Sequence, residues 1–171
     1  MAGSAVSHEN LQGFKMSAVL DRPLFCFRPM KEKDLETILE IEQSAYSFPW
    51  SETIFEDCLR VGYCCWVLEY EDSIIAYGVM SVAVGECHIL NLCVKPEYQY
   101  NGWGQTILQH MLDVACTHGA KIAFLEVRPS NEHAYNLYSN AGFNEVGMRR
   151  DYYPAEFGRE DAKILARTLI S

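Results

Sequence analysis

Gln99-Tyr100-Asn101-Gly102-Trp103-Gly104 follows an apolar run and opens onto an amphipathic one. Read as Q-x-x-G-x-G at the entry to a helix, this turn suggests a specific chemistry. Glycines let successive backbone N–H groups swing toward one point, and a helix N-terminus adds partial positive charge there. A diphosphate is the natural guest. Two other phosphate motifs fail on the letters. A P-loop needs Lys after its second glycine, where Gln105 stands, and a dinucleotide fingerprint needs a further glycine where Ile107 stands. A plain strand-to-helix turn that uses glycine for positive φ accounts for the same two glycines. Metal and disulfide patterns are absent from the spacing. The seven cysteines (Cys26, Cys58, Cys64, Cys65, Cys87, Cys93, Cys116) contain no C-x-x-C pair. An odd count, mostly in apolar or periodic segments, fits a reducing cytoplasm better than a disulfide framework. The five histidines (His8, His88, His110, His118, His133) form no H-x-x-x-H or H-E-x-x-H group, so no metal is expected.

The elements that must position this turn can be read along the chain. Leu24 to Arg28 alternates as a strand and stops at Pro29. Lys31 to Tyr46 is helical, with Leu35, Ile38, Leu39, Ile41 and Ala45 on one side. Ser47 to Trp50 breaks it, and Ser51 stands as N-cap of a second helix running to about Val61. Tyr63 to Tyr70 and Ile74 to Val84 form a β-hairpin, and Glu86 to Val94 is a third run ended by Lys95-Pro96. After the loop Glu97 to Gly102, residues Trp103, Ile107, Leu108, Met111, Leu112 and Ala115 mark a strong amphipathic helix that stops at Gly119. Ile122 to Arg128 is a buried strand. Asn131 opens a short helix ended by Gly142, and Phe143 to Tyr153 and Asp161 to Ile170 are the last strands, with a loop from Pro154 to Glu160. Hairpins early and crossover helices late imply one mixed α/β (α+β) sheet with helices on its faces.

Composition bounds the partners. A chain of 171 residues, 49% hydrophobic and 22% charged, makes one domain, spanning 24–171, preceded by residues 1–23. Those first residues are small, polar and aperiodic, and Glu9-Asn10-Leu11-Gln12-Gly13 resembles a fragment of an expression-tag protease site. They are expected to be a tag or a disordered arm. With 14 basic and 23 acidic residues the formal net charge is −9, which argues against nucleic acid and anionic membranes and favours a basic partner. The uncharged stretch Ser73 to Gly85 is shorter than the roughly 20 residues a membrane span requires.

The glycine turn, placed after the third strand of a hairpin-rich half, resembles the Gcn5-related N-acetyltransferase superfamily over about Leu24 to Ile170. A closer likeness rests on short matches in order: Phe48-Pro49-Trp50-Ser51, Leu125-Glu126-Val127-Arg128, Ser130-Asn131, Leu137-Tyr138, Gly142-Phe143-Asn144, Arg149-Arg150-Asp151-Tyr152-Tyr153-Pro154 and Gly158-Arg159-Glu160-Asp161-Ala162. Together they are similar to the ribosomal-protein-alanine N-acetyltransferases, the RimI family. The resemblance implies a mixed, mostly antiparallel sheet of 6–7 strands with four helices. It implies acetyl transfer from acetyl-CoA to the N-terminal alanine of a small-subunit ribosomal protein, directly, in a ternary complex. By the same resemblance, Leu92, Cys93 and Val94 hold the pantetheine and thioester, and Gln99, Tyr100, Asn101, Gly102, Trp103, Gly104 and Gln105 surround the pyrophosphate. Asn131 contacts the pantetheine arm, Glu126 is the general base and Tyr138 the general acid. Relatives carry Arg or Lys among the positions of Tyr100, Asn101 and Gln105, so this loop would bind through backbone amides.

The residues support that chemistry while leaving other readings open. A free α-amine has a pKa of about 7.7–8.0 against about 10.4 for Lys, so a modest carboxylate base suffices for it. Glu126 can equally be a surface carboxylate paired with Lys121 or Arg128, and Tyr138 a core aromatic. Cys93 could form an acetyl-enzyme only with an activating base. His88 lies five residues away, and strict alternation puts the two on opposite faces. Acceptor recognition falls to Phe48 and Trp50, then Tyr152, Tyr153, Glu156, Glu160 and Asp161, a set suited to a basic peptide. Phe48 and Trp50 could also simply staple two helices. Competing functions are acetylation of a Lys side chain, polyamine or other small amine, and acetyl-CoA binding without catalysis. A cytoplasmic monomer is expected.

Overall fold

Helical and alternating patterns become four α-helices and a 7-stranded sheet in a computed structural model that describes residues 24–169. The elements are β1 (Phe25–Pro29), α1 (Leu35–Ala45), α2 (Glu52–Arg60), β2 (Cys64–Tyr70), β3 (Ser73–Ala83), β4 (Glu86–Val94), α3 (Trp103–Thr117), β5 (Ile122–Val127), α4 (Glu132–Asn140), β6 (Asn144–Pro154) and β7 (Arg159–Thr168). The expected arm at 1–23 and Ile170 lie outside the described residues.

Two boundaries and one cap differ from the sequence reading. The first helix begins late because Glu32–Asp34 forms a 3-10 turn. There the Asp34 carboxylate accepts the Lys31 N–H at 2.8 Å and pairs with Arg28 at 2.7 Å. Ser51 is the N-cap of α2 by position, yet its side chain makes no capping hydrogen bond. The loop expected from Pro154 to Glu160 shrinks to 155–158, because Pro154↔Arg159 and Tyr153↔Glu160 are paired.

The strand order is β1-β2-β3-β4-β5-β7-β6. Every neighbouring pair is antiparallel except β4 and β5, which run parallel. Each face of the sheet buries one apolar cluster. On one, α3 sets Ile107, Leu108 and Met111 against Met80, Ile89, Leu125 and Leu165, and α4 adds Tyr138. On the other, Ile38, Ile41 and Phe55 of α1 and α2 cover Val67, Tyr77 and Val79. Burying apolar area on both faces supplies the main driving force for this layering. Among the described residues no helix is long and apolar enough to cross a membrane.

One irregularity governs the site. Met80 pairs with Ile89, but the next partner of Val79 is Asn91, so Leu90 is an extra residue in β4. Such a bulge bends its strand and reverses the side-chain phase beyond it. Cys87 and Ile89 face the α3 side, and after the bulge Leu92 and Val94 take that role. The phase change corrects the alternation argument for His88 and Cys93. Paired to Ser81 and Tyr77, they share a face.

Candidate active site

The parallel pairing of β4 and β5 runs from Glu86↔Ile122 to Ile89↔Leu125 and stops at the bulge. Beyond it the strands part, and a cavity of about 610 Å³ opens between them. Leu90, Asn91 and Leu92 form one wall and Leu125, Glu126 and Val127 the other. The segment Tyr46 to Trp50 closes the cavity from the α1 side, Tyr138 and Asn131 from the α4 side, and Tyr153 and Pro154 from β6.

Glu126 and Tyr138 therefore meet one cavity although they stand on different layers. Glu126 projects to the face that α1 and α2 leave uncovered at β5, where the burial of Ile122 to Val127 alternates strictly. Its partner is neither Lys121 nor Arg128: Arg149 Nε of β6 lies 3.0 Å from Glu126 Oε1. Tyr138 comes from α4, is 8% exposed, and packs edge-on against Phe143. Burial pushes its phenol up to about 12, so the hydroxyl is protonated throughout the neutral range.

Cys93 lies on the α1 side of β4, 3% exposed. Burial pushes its thiol up to about 12, with Glu42 adding to the rise. His88 shares the face but serves elsewhere. Its ring stacks on Phe124 at 5.2 Å and lies 3.3 Å from Glu86. Among the described residues Cys93 thus has no nearby imidazole to activate it.

The glycine turn stands at the mouth of α3, outside the walls of this cavity. Gly102 is the N-cap at φ +86, a conformation glycine adopts without strain. Its carbonyl accepts the Thr106 N–H at 3.0 Å, and the first N–H groups of the helix have no intrahelical acceptor. Gly104 serves a close approach: a Cβ there would meet Leu137 Cδ2 of α4 at 3.3 Å. Gln99 and Asn101 brace the turn. Gln99 Nε2 donates to the Val94 carbonyl at 2.9 Å and Asn101 Nδ2 to the Gln99 carbonyl at 3.0 Å. Trp103 packs away from the turn onto Tyr70 and Phe25, and Gln105 is exposed. Tyr100, 79% exposed, tilts its ring against His133 at 4.6 Å, across the entrance between α3 and α4. Asn131 caps α4 by accepting the Ala134 N–H at 3.1 Å.

The residues expected at the acceptor divide into two groups. Phe48, Trp50 and Tyr153 line the cavity. Trp50 also leans on Phe55 at 5.4 Å, so it staples the helices as well. The others lie on the β6–β7 hairpin outside the cavity walls. Tyr152 packs edge-on against Tyr153 at 4.9 Å. Asp161 accepts the Asp151 N–H at 2.9 Å, bracing a bulge in β6. Glu160 accepts the Ser130 N–H at 2.8 Å, the Ser130 hydroxyl at 2.9 Å and Arg128 Nη1 at 3.3 Å. Burial pushes the Glu160 carboxyl up, and the Ser130 and Arg128 donors outweigh it, leaving it below the usual range. Glu156 is exposed near the hairpin tip.

Sequence reasoning missed several residues of this cavity. Arg128 has its guanidinium 4.3 Å from the Tyr153 ring and 5.6 Å from the Phe48 ring, and donates to the Pro154 carbonyl at 2.8 Å. It joins the two acceptor-side segments. Tyr46 donates its hydroxyl to the Leu92 carbonyl at 2.9 Å. Glu42 of α1, 1% exposed, is a buried carboxylate in the wall. A signal for it existed: Glu42 stands four residues after Ile38 and seven after Leu35, on the apolar stripe of its helix.

Residues 35–143 match the acetyltransferase (GNAT) family. The ribosomal protein bS18-alanine N-acetyltransferase of Escherichia coli K12 is 39% identical over 137 residues, covering 80% of this chain and 93% of that protein. Its Salmonella typhimurium counterpart is 40% identical over 133 residues, 78% of this chain and 90% of the relative. The crystal structure of the Escherichia coli ribosomal-protein-S18-alanine N-acetyltransferase superposes with a TM-score of 0.79 at 37% identity, covering 84% of this chain and 93% of that one.

Proposed function

The chain belongs to the acetyltransferase (GNAT) family, and on that premise we propose that it moves acetyl from acetyl-CoA to the N-terminal alanine amine of a ribosomal protein of the bS18 kind, directly, in a ternary complex. The observation that carries this reading is the pair Glu126 and Tyr138, reaching one cavity from two layers at the point where β4 and β5 part.

The acceptor amine enters past Phe48, Trp50 and Tyr153. Glu126, directly or through a water, takes its proton as the nitrogen attacks the thioester carbonyl. Backbone N–H groups of Leu92 to Val94, beyond the end of the pairing with β5, hold the thioester and the pantetheine, with Asn131 on the opposite side; the Leu92 and Val94 carbonyls are already taken by Tyr46 and Gln99. The amide bond forms, the carbon–sulfur bond breaks, and CoA departs as the thiolate with the Tyr138 hydroxyl hydrogen-bonded to its sulfur. A thiol pKa of about 8.5 lies below the phenol's, so Tyr138 works as a hydrogen-bonded donor to developing charge. The first N–H groups of α3, around Gly102 to Gln105, take the pyrophosphate without a basic side chain. The seven free cysteines suit a reducing cytoplasm.

The test offers the enzyme acetyl-CoA and two peptides, one with a free N-terminal alanine, the other blocked at its N-terminus and containing lysine. Mass spectrometry is expected to find acetyl on the free alanine only. Acetylation of the blocked peptide would replace this reading with a lysine or small-amine acceptor. Tight acetyl-CoA binding with transfer to neither would leave a binding module.

A further inference from the structure

We propose that Glu42 is a positioning residue that fixes the acceptor wall and the cofactor wall of the cavity to each other; the proposal rests on the function proposed above. A carboxylate only 1% exposed is costly unless donors surround it. Among the described residues Glu42 has no ion-pair partner. Neutral donors take its place, and each comes from a different part of the site. Oε1 accepts the Trp50 N–H at 2.8 Å, from the segment that carries Phe48 and Trp50 into the acceptor side. Oε2 accepts the Tyr77 hydroxyl from the floor of β3. Asn91 Nδ2 reaches Oε2 at 3.3 Å from β4, beside the bulge where that strand leaves β5.

A second connection follows just past the helix. Tyr46, the extended residue that ends α1, donates to the Leu92 carbonyl at 2.9 Å. The last turn of α1 and the residue that leaves it are thus both stitched to the parted half of β4, and Glu42 also holds the loop. Lengths matter here. Aspartate at 42 would keep the charge but, one methylene shorter, could not meet Trp50 N–H and Asn91 together. Glutamine would keep the reach: its oxygen still accepts Trp50 N–H and also Asn91 Nδ2, which lies 3.4 Å from Oε1, while its amide donates to a reversed Tyr77 hydroxyl.

The experiment compares the full chain with Glu42→Asp and Glu42→Gln, using acetyl-CoA and the free-alanine peptide. Glu42→Asp is expected to raise the peptide KM about tenfold while acetyl-CoA affinity, by calorimetry, stays within about threefold. Glu42→Gln is expected to keep the peptide KM within about threefold of wild type. A lost folded fraction lowers apparent kcat and leaves KM alone, so a fall in kcat with unchanged KM in Glu42→Asp would overturn the role. A tenfold KM rise in Glu42→Gln would also overturn it, because charge rather than reach would then matter. Hydrogen exchange gives a readout independent of turnover. In Glu42→Asp the segment Tyr46 to Ser51 should exchange faster while α3 and β7 keep their protection; uniform acceleration argues for general destabilisation and against the proposal. If the wild-type enzyme left the peptide unmodified, the function proposed above would fall, and the exchange result would still decide whether Glu42 holds the loop.

Discussion

Arg149 Nε stands 3.0 Å from Oε1 of Glu126, joining β6 to the end of β5 at the rim of the cavity. Arg149 is more than half exposed, and ion pairs of this kind contribute about 0–1 kcal/mol to stability. Replacing Glu126 by its isosteric amide therefore changes the fold little. The proposed proton acceptor, in contrast, disappears. Glu126→Gln should lower kcat about 10²–10⁴-fold at neutral pH, with acetyl-CoA affinity and melting temperature nearly unchanged. Steady-state kinetics beside calorimetry check this. Parallel losses in kcat and cofactor affinity would remove Glu126 from the role of base.

The thiol of Cys93 gives a second prediction. Burial holds it up to about 12, so the thiolate fraction at pH 7 is on the order of 10⁻⁵. No acetyl-enzyme should form. Incubation with acetyl-CoA alone should leave the intact mass unchanged, and Cys93→Ala should keep kcat within about threefold while costing about 1 kcal/mol of stability. A stable acetyl adduct that the alanine variant cannot form would point to a two-step route through this sulfur.

The layout was legible because patterns of apolar residues decide which face each element buries. All seven strands and four helices follow them, and the parting of β4 even leaves a mark in the letters. Cys87 and Ile89 alternate, then Leu90, Leu92 and Val94 continue out of phase, as an inserted residue requires. Strict alternation overlooked that mark and misplaced His88 relative to Cys93. The cavity itself was only partly legible. Glu126, Tyr138, Phe48 and Trp50 came from short motifs that stay local. Glu42 meets Tyr77 and Asn91, and Arg149 meets Glu126, across more than twenty residues of chain, and no local spacing encodes such contacts. Gln99 and Asn101 stand where the motif put them, yet their side chains brace the turn, a use that becomes visible only once Val94 is seen beneath it.

Arg128 supports a third prediction. Its planar guanidinium faces the Tyr153 ring at 4.3 Å while donating to Pro154 and Glu160, so one side chain holds the β6–β7 hairpin against the end of β5. Lysine keeps the charge but lacks the planar fork. Arg128→Lys should raise the KM for the alanine peptide about fivefold to tenfold, with acetyl-CoA affinity retained. An unchanged peptide KM would separate this network from acceptor binding.

Alkaline pH should unfold the protein through its buried thiols. Burial pushes Cys65, Cys87 and Cys93 each up to about 12 from an ordinary value near 9. Tyr138 is likewise raised to about 12 from 10.0. A group whose folded pKa lies above its unfolded one binds protons more tightly when folded. Its contribution is complete below the unfolded pKa and declines as pH rises toward the folded pKa. For the thiols that decline starts near pH 9, and Tyr138 joins it near pH 10. Each group removes about 1.4 kcal/mol per pH unit across its window, against a total stability of about 5–15 kcal/mol for a domain of this kind. Urea midpoints followed by tryptophan fluorescence should be level from pH 6 to 8 and fall steeply above 9. Cys87→Ala, which removes one of these groups at a distance from the cavity, should make that fall shallower. Midpoints that stay level to pH 11 would mean that water reaches these thiols in the folded protein.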